Sequence, residues 1–501
     1  MQTLRHYVDL RAREQPDAPY LIAPETGKTL TYGQLQRDSR DLGRFLLKLG
    51  LKQGDKVALM LHNGYQTGQL LIGVMYAGFT VAPLNLLAQP SQLTYVLDHS
   101  DTRVVFTTEE FSERLKTALA GIKRDITVIV IDPDATKIFD TAALPLALPE
   151  VEEADDALLM YTSGTTGKPK GCVLTHRSVC AGGEFTSRAH QLTAQDRVLC
   201  ALPLYHINGQ IVTAVAPLVH GGSVVMPHRF SVGNYWELAA QHRCTWINVV
   251  PTIIAYLLNA PDPRAAKLDI SSVKFCRSAS APLPPELHRA FEEKFGISII
   301  ETFGMTETNA PCFTNPYDRA KRKIGSPGQA FGNEAKIIAP ETGATQPPGV
   351  PGEIMVRGDN VMKGYYKDPE NTAKTLEPDG WMHSGDLGYM DEDGFVFVTG
   401  RIKELIIKGG ENIAPREIDE ALLRHPAVLE AAAVGIPDKN YGQEIMACVV
   451  LKPGCECTMD ELMAFSLSEL GKYKTPKVIK FVADLPKGPS GKVQRLKLLE
   501  F

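Results

Sequence analysis

The sequence predicts an α/β protein: a large N-terminal domain built on doubly wound sheets with a small β-barrel, then a small α+β C-terminal domain. Three observations predict it. Up to about residue 320, runs with helical periodicity alternate with short apolar runs, the pattern of a parallel sheet covered by helices. Most of the strand-like runs end in a polar or Gly-rich loop, and in doubly wound sheets ligands sit at the carboxyl ends of strands. Between Lys323 and Val398 the character changes. Gly and Pro become dense, and the alternating runs Ala335–Ile338, Glu353–Val356 and Phe395–Val398 read as a small barrel or antiparallel meander.

Bulk properties bound the class. A chain of 501 residues has room for roughly three domains. With 44% hydrophobic and 22% charged residues it is expected to be globular with a large core. A net charge of −5 excludes a global basic field for nucleic acid or anionic lipid. Nine cysteines are scattered, and Cys455-Glu-Cys457, without a His or a second pair, is a poor metal site. Reduced thiols in a cytoplasmic protein are expected. The N-terminus has no apolar core of a signal peptide, and Lys497-Leu-Leu-Glu-Phe501 is no targeting address. Leu70 to Val81 and Ile211 to Met226 look span-like. Gly78 and Gly221-Gly222 break them and β-branched residues follow, so each reads as a buried helix leading into a strand, with no membrane span.

In chain order, Asp9 to Arg13 and Tyr32 to Leu49 carry helical periodicity. Lys56–Met60, Val104–Thr107 and Ile126–Ile131 read as short buried strands, and Asp132 to Asp156 as an acidic surface connection. Further strands are expected at Ala157–Met160, Cys172–Thr175, Arg197–Leu202, Ser223–Met226, Trp246–Val250, Val273–Arg277 and Ile297–Ile300, with a helix from Asn234 to His242.

Tyr161-Thr-Ser-Gly-Thr-Thr-Gly-Lys-Pro-Lys-Gly171 lies between two of these strands. Its glycines let backbone N–H groups turn toward an anion, its hydroxyls add donors, and Lys168 and Lys170 neutralise charge. A Gly-rich turn leaving a strand is a phosphate cradle in the making. It is not the common P-loop, which needs four residues between its glycines, Ser or Thr after the Lys, and a helix next. Here two residues separate Gly164 from Gly167, Pro169 follows Lys168, and a strand follows. A flexible polar hairpin tip is the alternative reading.

The full string resembles the signature of the adenylate-forming (ANL) superfamily, which holds acyl-CoA synthetases, luciferases and peptide-synthetase adenylation domains. The resemblance continues in the family's order through Pro203-Leu-Tyr-His206, Thr302-Phe-Gly-Met-Thr-Glu307, Ser384-Gly-Asp386, Gly400-Arg-Ile-Lys403 and Gly488-Pro-Ser-Gly-Lys492. Thr245 to Thr252 and Gly400 to Ile406 look most like the oxalate–CoA ligase and short-acid branch. The resemblance implies an AMP-forming acid–CoA ligase using ATP, Mg²⁺ and coenzyme A. It implies two doubly wound subdomains and a β-barrel in residues 1–401, and a mobile domain in 402–501.

Residue by residue, the resemblance puts Thr162, Ser163, Gly164, Thr165, Thr166, Gly167, Lys168 and Thr306 on the phosphates. Thr302, Phe303, Gly304 and Met305 surround the nucleotide. Phe303 stands where Tyr is usual, so a ring remains to stack but a hydroxyl is lost. Glu307 becomes a Mg²⁺ ligand; by itself it reads as a first-turn helix acid. Asp386 would accept both ribose hydroxyls, with Arg401 as second ribose contact; alone they read as a turn aspartate and a surface charge. Lys403 takes the hinge position, and Gly409 and Gly410 the loop along pantetheine, although Gly-Gly is also a plain turn. Lys492 becomes the lysine of adenylation, where the bland reading is a solvated loop lysine.

His206 is implied to line the acid pocket and shift between steps, the alternative being a core histidine. The family's layout completes the pocket with Asn208, Gln210, Asn248, Val250, Ser278, Ala279, Ser280 and Asn309. That set is too polar for a fatty-acyl tunnel. A small acid carrying a hydroxyl, an oxo group or a second carboxylate would satisfy these groups, unless they bond only to backbone or water. Arg277 pairs with a second carboxylate on one reading and is structural on the other. A medium- or long-chain or aromatic acid–CoA ligase, and an adenylation domain loading a carrier protein, remain open. A nucleotide-binding regulator should have lost Glu307, Asp386 or Lys492. The expected partners are a small carboxylic acid, ATP and CoA, on a monomer or homodimer with no nucleic acid.

Overall fold

Seven strands form the first sheet of the computed structural model, which describes residues 2–136, 139, 146–162, 169–309, 311–488 and 493–501. Their spatial order is Gly364–Tyr365, Lys170–Thr175, Asp156–Thr162, Thr80–Pro83, Lys56–Met60, Thr102–Thr107, Thr127–Val130. Asp156–Thr162 (β1) and Lys170–Thr175 (β2) are an antiparallel pair, with Thr162 opposite Lys170 at the end where the chain joins them. The strands beyond β1 are parallel. Helix His176–Ala189 (α1) follows β2 and is capped by Thr175, whose hydroxyl accepts from the Ser178 amide.

The span-like stretch from Leu70 belongs to helix Tyr65–Tyr76, every residue of which is buried, and it feeds strand Thr80–Pro83. Among the described residues no helix is long and apolar enough to cross a membrane. One expectation needs correction. Thr127–Val130 is not buried; it is the edge strand of this sheet, and Val128 and Val130 are exposed. Nothing pairs with its outer side among the described strands, so one face of an apolar run meets solvent.

The second sheet has thirteen strands and two characters. Its parallel half includes Arg197–Cys200, Trp246–Val249 (β3), Phe275–Ser278 (β4) and Ser298–Phe303 (β5), in that spatial order. Beyond β5 it turns antiparallel. That half includes Gly352–Arg357 (β6), Met382–Met390 (β7) and Phe395–Arg401 (β8), folded around Phe313, Ile337, Ile354, Val356, Met382 and Val396. The Gly- and Pro-rich region is thus an antiparallel meander that continues the parallel sheet.

After β8 a 3₁₀ turn, Ile402–Glu404, leads to a third sheet. It holds Ile406–Lys408 (β9), Glu411–Ile413 (β10), Val428–Asp438 (β11) and Gly442–Leu451 (β12), with Val478–Phe481 parallel to β12. Helices Pro415–Leu423 (α2) and Met459–Lys474 (α3) cover its core of Ile406, Ile418, Leu422, Ile445 and Leu462.

Candidate active site

The phosphate cradle is expected where the chain joins β1 to β2. Thr162 and Lys170 are described there; Ser163, Gly164, Thr165, Thr166, Gly167 and Lys168 lie outside the described residues. The Lys170 ammonium sits 4.0 Å from the centre of the Tyr365 ring. Tyr365 belongs to the two-residue strand beside β2, and its hydroxyl donates to Glu307 Oε1 at 2.9 Å. Burial foremost, with Glu307's charge next, raises the Tyr365 phenol far above its ordinary range, so it stays a donor. This relay joins the base of the cradle to the acid expected to hold a cation. Sequence reasoning missed Tyr365, which has no motif around it.

Glu307 stands in a 3₁₀ turn, Thr306–Thr308, just past the carboxyl end of β5. Thr302 and Phe303 end that strand, and the Phe303 ring packs 5.8 Å from Phe313. Gly304 and Met305 bridge strand and turn. Asn309 closes the turn with φ +50°, fully buried, and its Nδ2 donates to the Asn360 carbonyl at 3.1 Å. That nitrogen braces a neighbouring loop, while the buried Asn309 Oδ1 has no hydrogen-bond partner among the described residues.

Asp386, 3% exposed, lies on β7 directly opposite Arg401 on β8, and Arg401 Nε donates to Asp386 Oδ1 at 2.8 Å. Asp386 chiefly, with Glu404 and Glu307 adding, holds the Arg401 guanidinium above its usual range. Glu307 and the expected ribose contacts therefore share one electrostatic neighbourhood. The turn before Asp386 has its own brace. Gly385 takes φ +70°, its N–H donates to Glu353 Oε1 at 3.0 Å, and Glu353 Oε2 lies 2.9 Å from His383 Nδ1.

The carboxyl ends of β3 and β4 bring the polar pocket residues together. Asn208 starts a π-helix, Asn208–Val215, whose wide turn was not foreseen from sequence. Its Nδ2 donates to Ser280 Oγ at 3.0 Å, and its Oδ1 accepts from Asn248 Nδ2 at 3.1 Å. Arg277 reaches into the same cluster. Its Nη1 donates to Asn208 Oδ1 at 2.7 Å and to Asn248 Oδ1 at 3.0 Å. Arg277 is 1% exposed, and among the described residues its Nε has no hydrogen-bond partner, nor has the buried Ser278 hydroxyl. Burial alone, with no carboxylate to offset it, pushes the guanidinium down to about 9. Nearby His190, stacked on Phe275, is pushed down to about 3, first by burial and then by Arg277's charge, so it adds no second cation. Ser280 takes φ +73° at the mouth of the cluster, and Ala279 and Val250 are buried beside it. Gln210 is buried; its Nε2 donates to the Leu204 carbonyl, and its Oε1 has no hydrogen-bond partner among the described residues. The His206 ring packs 4.8 Å from Tyr205, next to this strand end.

Beyond the 3₁₀ turn that contains Lys403, Gly409 and Gly410 form the tight turn between β9 and β10. Their φ values of +57° and +87° suit the twist of a two-residue hairpin and favour glycine at both positions. Lys492 lies outside the described residues, between Lys487 and Val493, which pair across an isolated bridge.

The AMP-binding enzyme family matches residues 8–366, and the AMP-binding enzyme C-terminal domain matches residues 417–492. The chain belongs to the AMP-binding enzymes. It is 55% identical over 502 residues to a sulfoacetate–CoA ligase of Cupriavidus necator, covering 99% of this chain and 97% of that one. It is 34% identical over 506 residues to an oxalate–CoA ligase of Arabidopsis thaliana, covering 98% and 97%. Among solved structures, ATP-bound MatB from Rhodopseudomonas palustris matches with TM-score 0.90 at 32% identity, over 98% of each chain. This AMP-binding enzyme is an AMP-forming acid–CoA ligase, and it uses ATP, Mg²⁺ and coenzyme A. The donor set fits that metal. Among the described residues no three His, Cys, Asp or Glu side chains cluster as a metal cage, and Glu307 offers one carboxylate of the kind Mg²⁺ takes alongside phosphate oxygens.

Proposed function

We propose that the ligase activates a small acid bearing a second anionic group, of the sulfoacetate or short dicarboxylate kind. The buried Arg277 cluster carries this reading. Among the described residues Arg277 is bonded to two amide oxygens and has no carboxylate partner. The groups left over in the cluster, Arg277 Nε–H and the Ser278 and Ser280 hydroxyls, can all donate. A distal carboxylate or sulfonate is an acceptor of matching charge, and a buried cation needs such a partner. A relative of 55% identity that acts on sulfoacetate supports the same class. Nine free cysteines, seven of them buried, support a cytoplasmic setting.

In the proposed mechanism a carboxylate oxygen of the acid bonds to the α-phosphorus of ATP. The bond to the bridging oxygen breaks, leaving acyl-AMP and pyrophosphate. Thr162 and Ser163 to Lys168 cradle the phosphates with Thr306, while Asp386 and Arg401 hold the ribose. Lys492 holds the carboxylate against the phosphorus. Mg²⁺, held by Glu307, supplies neutralisation of the phosphate charge. His206 serves as pocket wall, because the acid is already ionised at neutral pH. Residues 402–501 then turn about Lys403 against residues 1–401, bringing up Gly409-Gly410. The CoA sulfur bonds to the acyl carbon, the bond to AMP breaks, and the thiol proton passes to solvent.

The test is pyrophosphate release and thioester formation over sulfoacetate, malonate, oxalate, acetate, octanoate and benzoate. One of the dianionic acids should exceed acetate in kcat/KM by at least about a hundredfold, because a site built to bond a polar group rejects analogues lacking it. Activity that rises with chain length instead would refute the substrate class.

A further inference from the structure

The turn at Gly409-Gly410 is anchored by a buried ion pair. Lys408, the last residue of β9, turns its side chain inward, although a lysine beside a hairpin tip is free to extend into water. Its Nζ lies 3.0 Å from Glu444 Oε2 on β12, and both side chains are only 7% exposed. Nζ also donates to the Tyr473 carbonyl at 2.9 Å, near the end of α3, and the Tyr473 hydroxyl donates back to the Lys408 carbonyl. The ammonium sits 5.1 Å from the Tyr473 ring centre and 5.5 Å from that of Tyr441. The Gly409 N–H donates to the Tyr441 carbonyl at 2.8 Å. One flank of the turn is thus fastened to the middle strand of the sheet and to α3. The tip itself is open: Gly410 and Glu411 are exposed, as is Ile407 just before Lys408.

Burying an ion pair is a poor way to gain stability, because apolar side chains of similar volume often serve as well or better. Such a pair is better suited to fixing one geometry. Here it fixes a two-residue turn that a short hairpin alone holds loosely.

We propose that Lys408, with Glu444 and Tyr473, is a positioning residue for the second half-reaction alone: it holds the Gly409-Gly410 backbone in the shape along which the pantetheine arm of CoA passes. This rests on the reading of that turn as the CoA-facing loop. The discriminating variant is the double replacement Lys408→Met with Glu444→Leu, which removes both charges together and leaves neither buried alone. Tyr473→Phe is a milder second variant that removes only the hydroxyl donated to Lys408.

Two reactions are measured with the full-length enzyme: acid-dependent ATP–pyrophosphate exchange without CoA, and thioester formation from supplied acyl-adenylate over a range of CoA. The double variant should keep exchange within about twofold and lose roughly tenfold or more in kcat/KM for CoA, chiefly through KM, as displaced positioning groups do. Tyr473→Phe should shift KM for CoA in the same direction by less. Unchanged CoA kinetics in both variants, or parallel loss of exchange and transfer, overturns the proposal. A wild-type enzyme that exchanges pyrophosphate but ignores CoA overturns the reading of the loop as well, which separates the two failures.

Discussion

A guanidinium with two amide oxygens for company is an unfavourable thing to bury, and Arg277 is the plainest sign of what this ligase binds. If the residue served only packing, Arg277→Met would be neutral or stabilising, since it removes an uncompensated charge and nearly keeps the volume. We expect that outcome for the fold, with a melting temperature equal to wild type or higher. We expect the opposite for catalysis, where kcat/KM for the preferred dianionic acid should fall on the order of a thousandfold while acetate is barely affected. Parallel loss on both acids would reduce Arg277 to a structural role. At this scale the sequence was legible where a place at or just beyond a strand's carboxyl end fixes a residue's position: Asn208 bonds to both Asn248 and Ser280. It was not legible for the direction of a side chain. Asn309 and Gln210 are as polar as their neighbours, yet both bond to backbone carbonyls. Tyr365 lies in a Gly-rich stretch where nothing nearby marks it as the link between Lys170 and Glu307.

Strand pairs set the proposed nucleotide contacts. β7 and β8 place Asp386 opposite Arg401, but the turn at Gly385 has to be held for Asp386 to present its carboxylate, and β6 does this through Glu353. Glu353→Ala leaves the half-buried Gly385 N–H without its acceptor, a loss of about 1 kcal/mol. The expected result is a several-fold rise in KM for ATP with KM for the acid and for CoA unchanged, read from steady-state kinetics with each substrate varied in turn. If all three move together, the brace serves the whole meander and not Asp386. Elements buried on both faces were the legible ones, since β3, β4 and β5 are apolar runs that end in polar loops. Thr127–Val130 has the same kind of run and lies at an edge, because composition does not tell a central strand from a terminal one. The wide turns of Asn208–Val215 were equally silent, a matter of how the chain packs and not of any residue type.

At the scale of the molecule, two chemistries share one pocket, and the order of the motifs along the chain announces this more clearly than any single residue. One sheet's last strand ends at Arg401 and the next sheet begins at Ile406, and the 3₁₀ turn between them is tied to the elements that follow it. Arg495 Nε donates to Glu404 Oε2 at 3.2 Å, while its Nη1 donates to Asp419 Oδ1 at 3.2 Å on α2 and to the Ala433 carbonyl at 2.9 Å on β11. Lys487 and Val493 pair on either side of the segment that holds Lys492, and Lys487 is bound to Glu430 on β11. Neither of those contacts involves Lys492, so both remain when its side chain is removed. Lys492→Ala should keep its melting temperature within a few degrees, because these contacts are unchanged. It should abolish acyl-adenylate formation while sparing thioester formation from supplied acyl-adenylate. Equal loss of both half-reactions would sink the assignment of Lys492 to adenylation. The expected pattern is the mirror image of that for Lys408 and Glu444, and opposite defects from two sites in residues 402–501 are what the proposed turning about Lys403 requires.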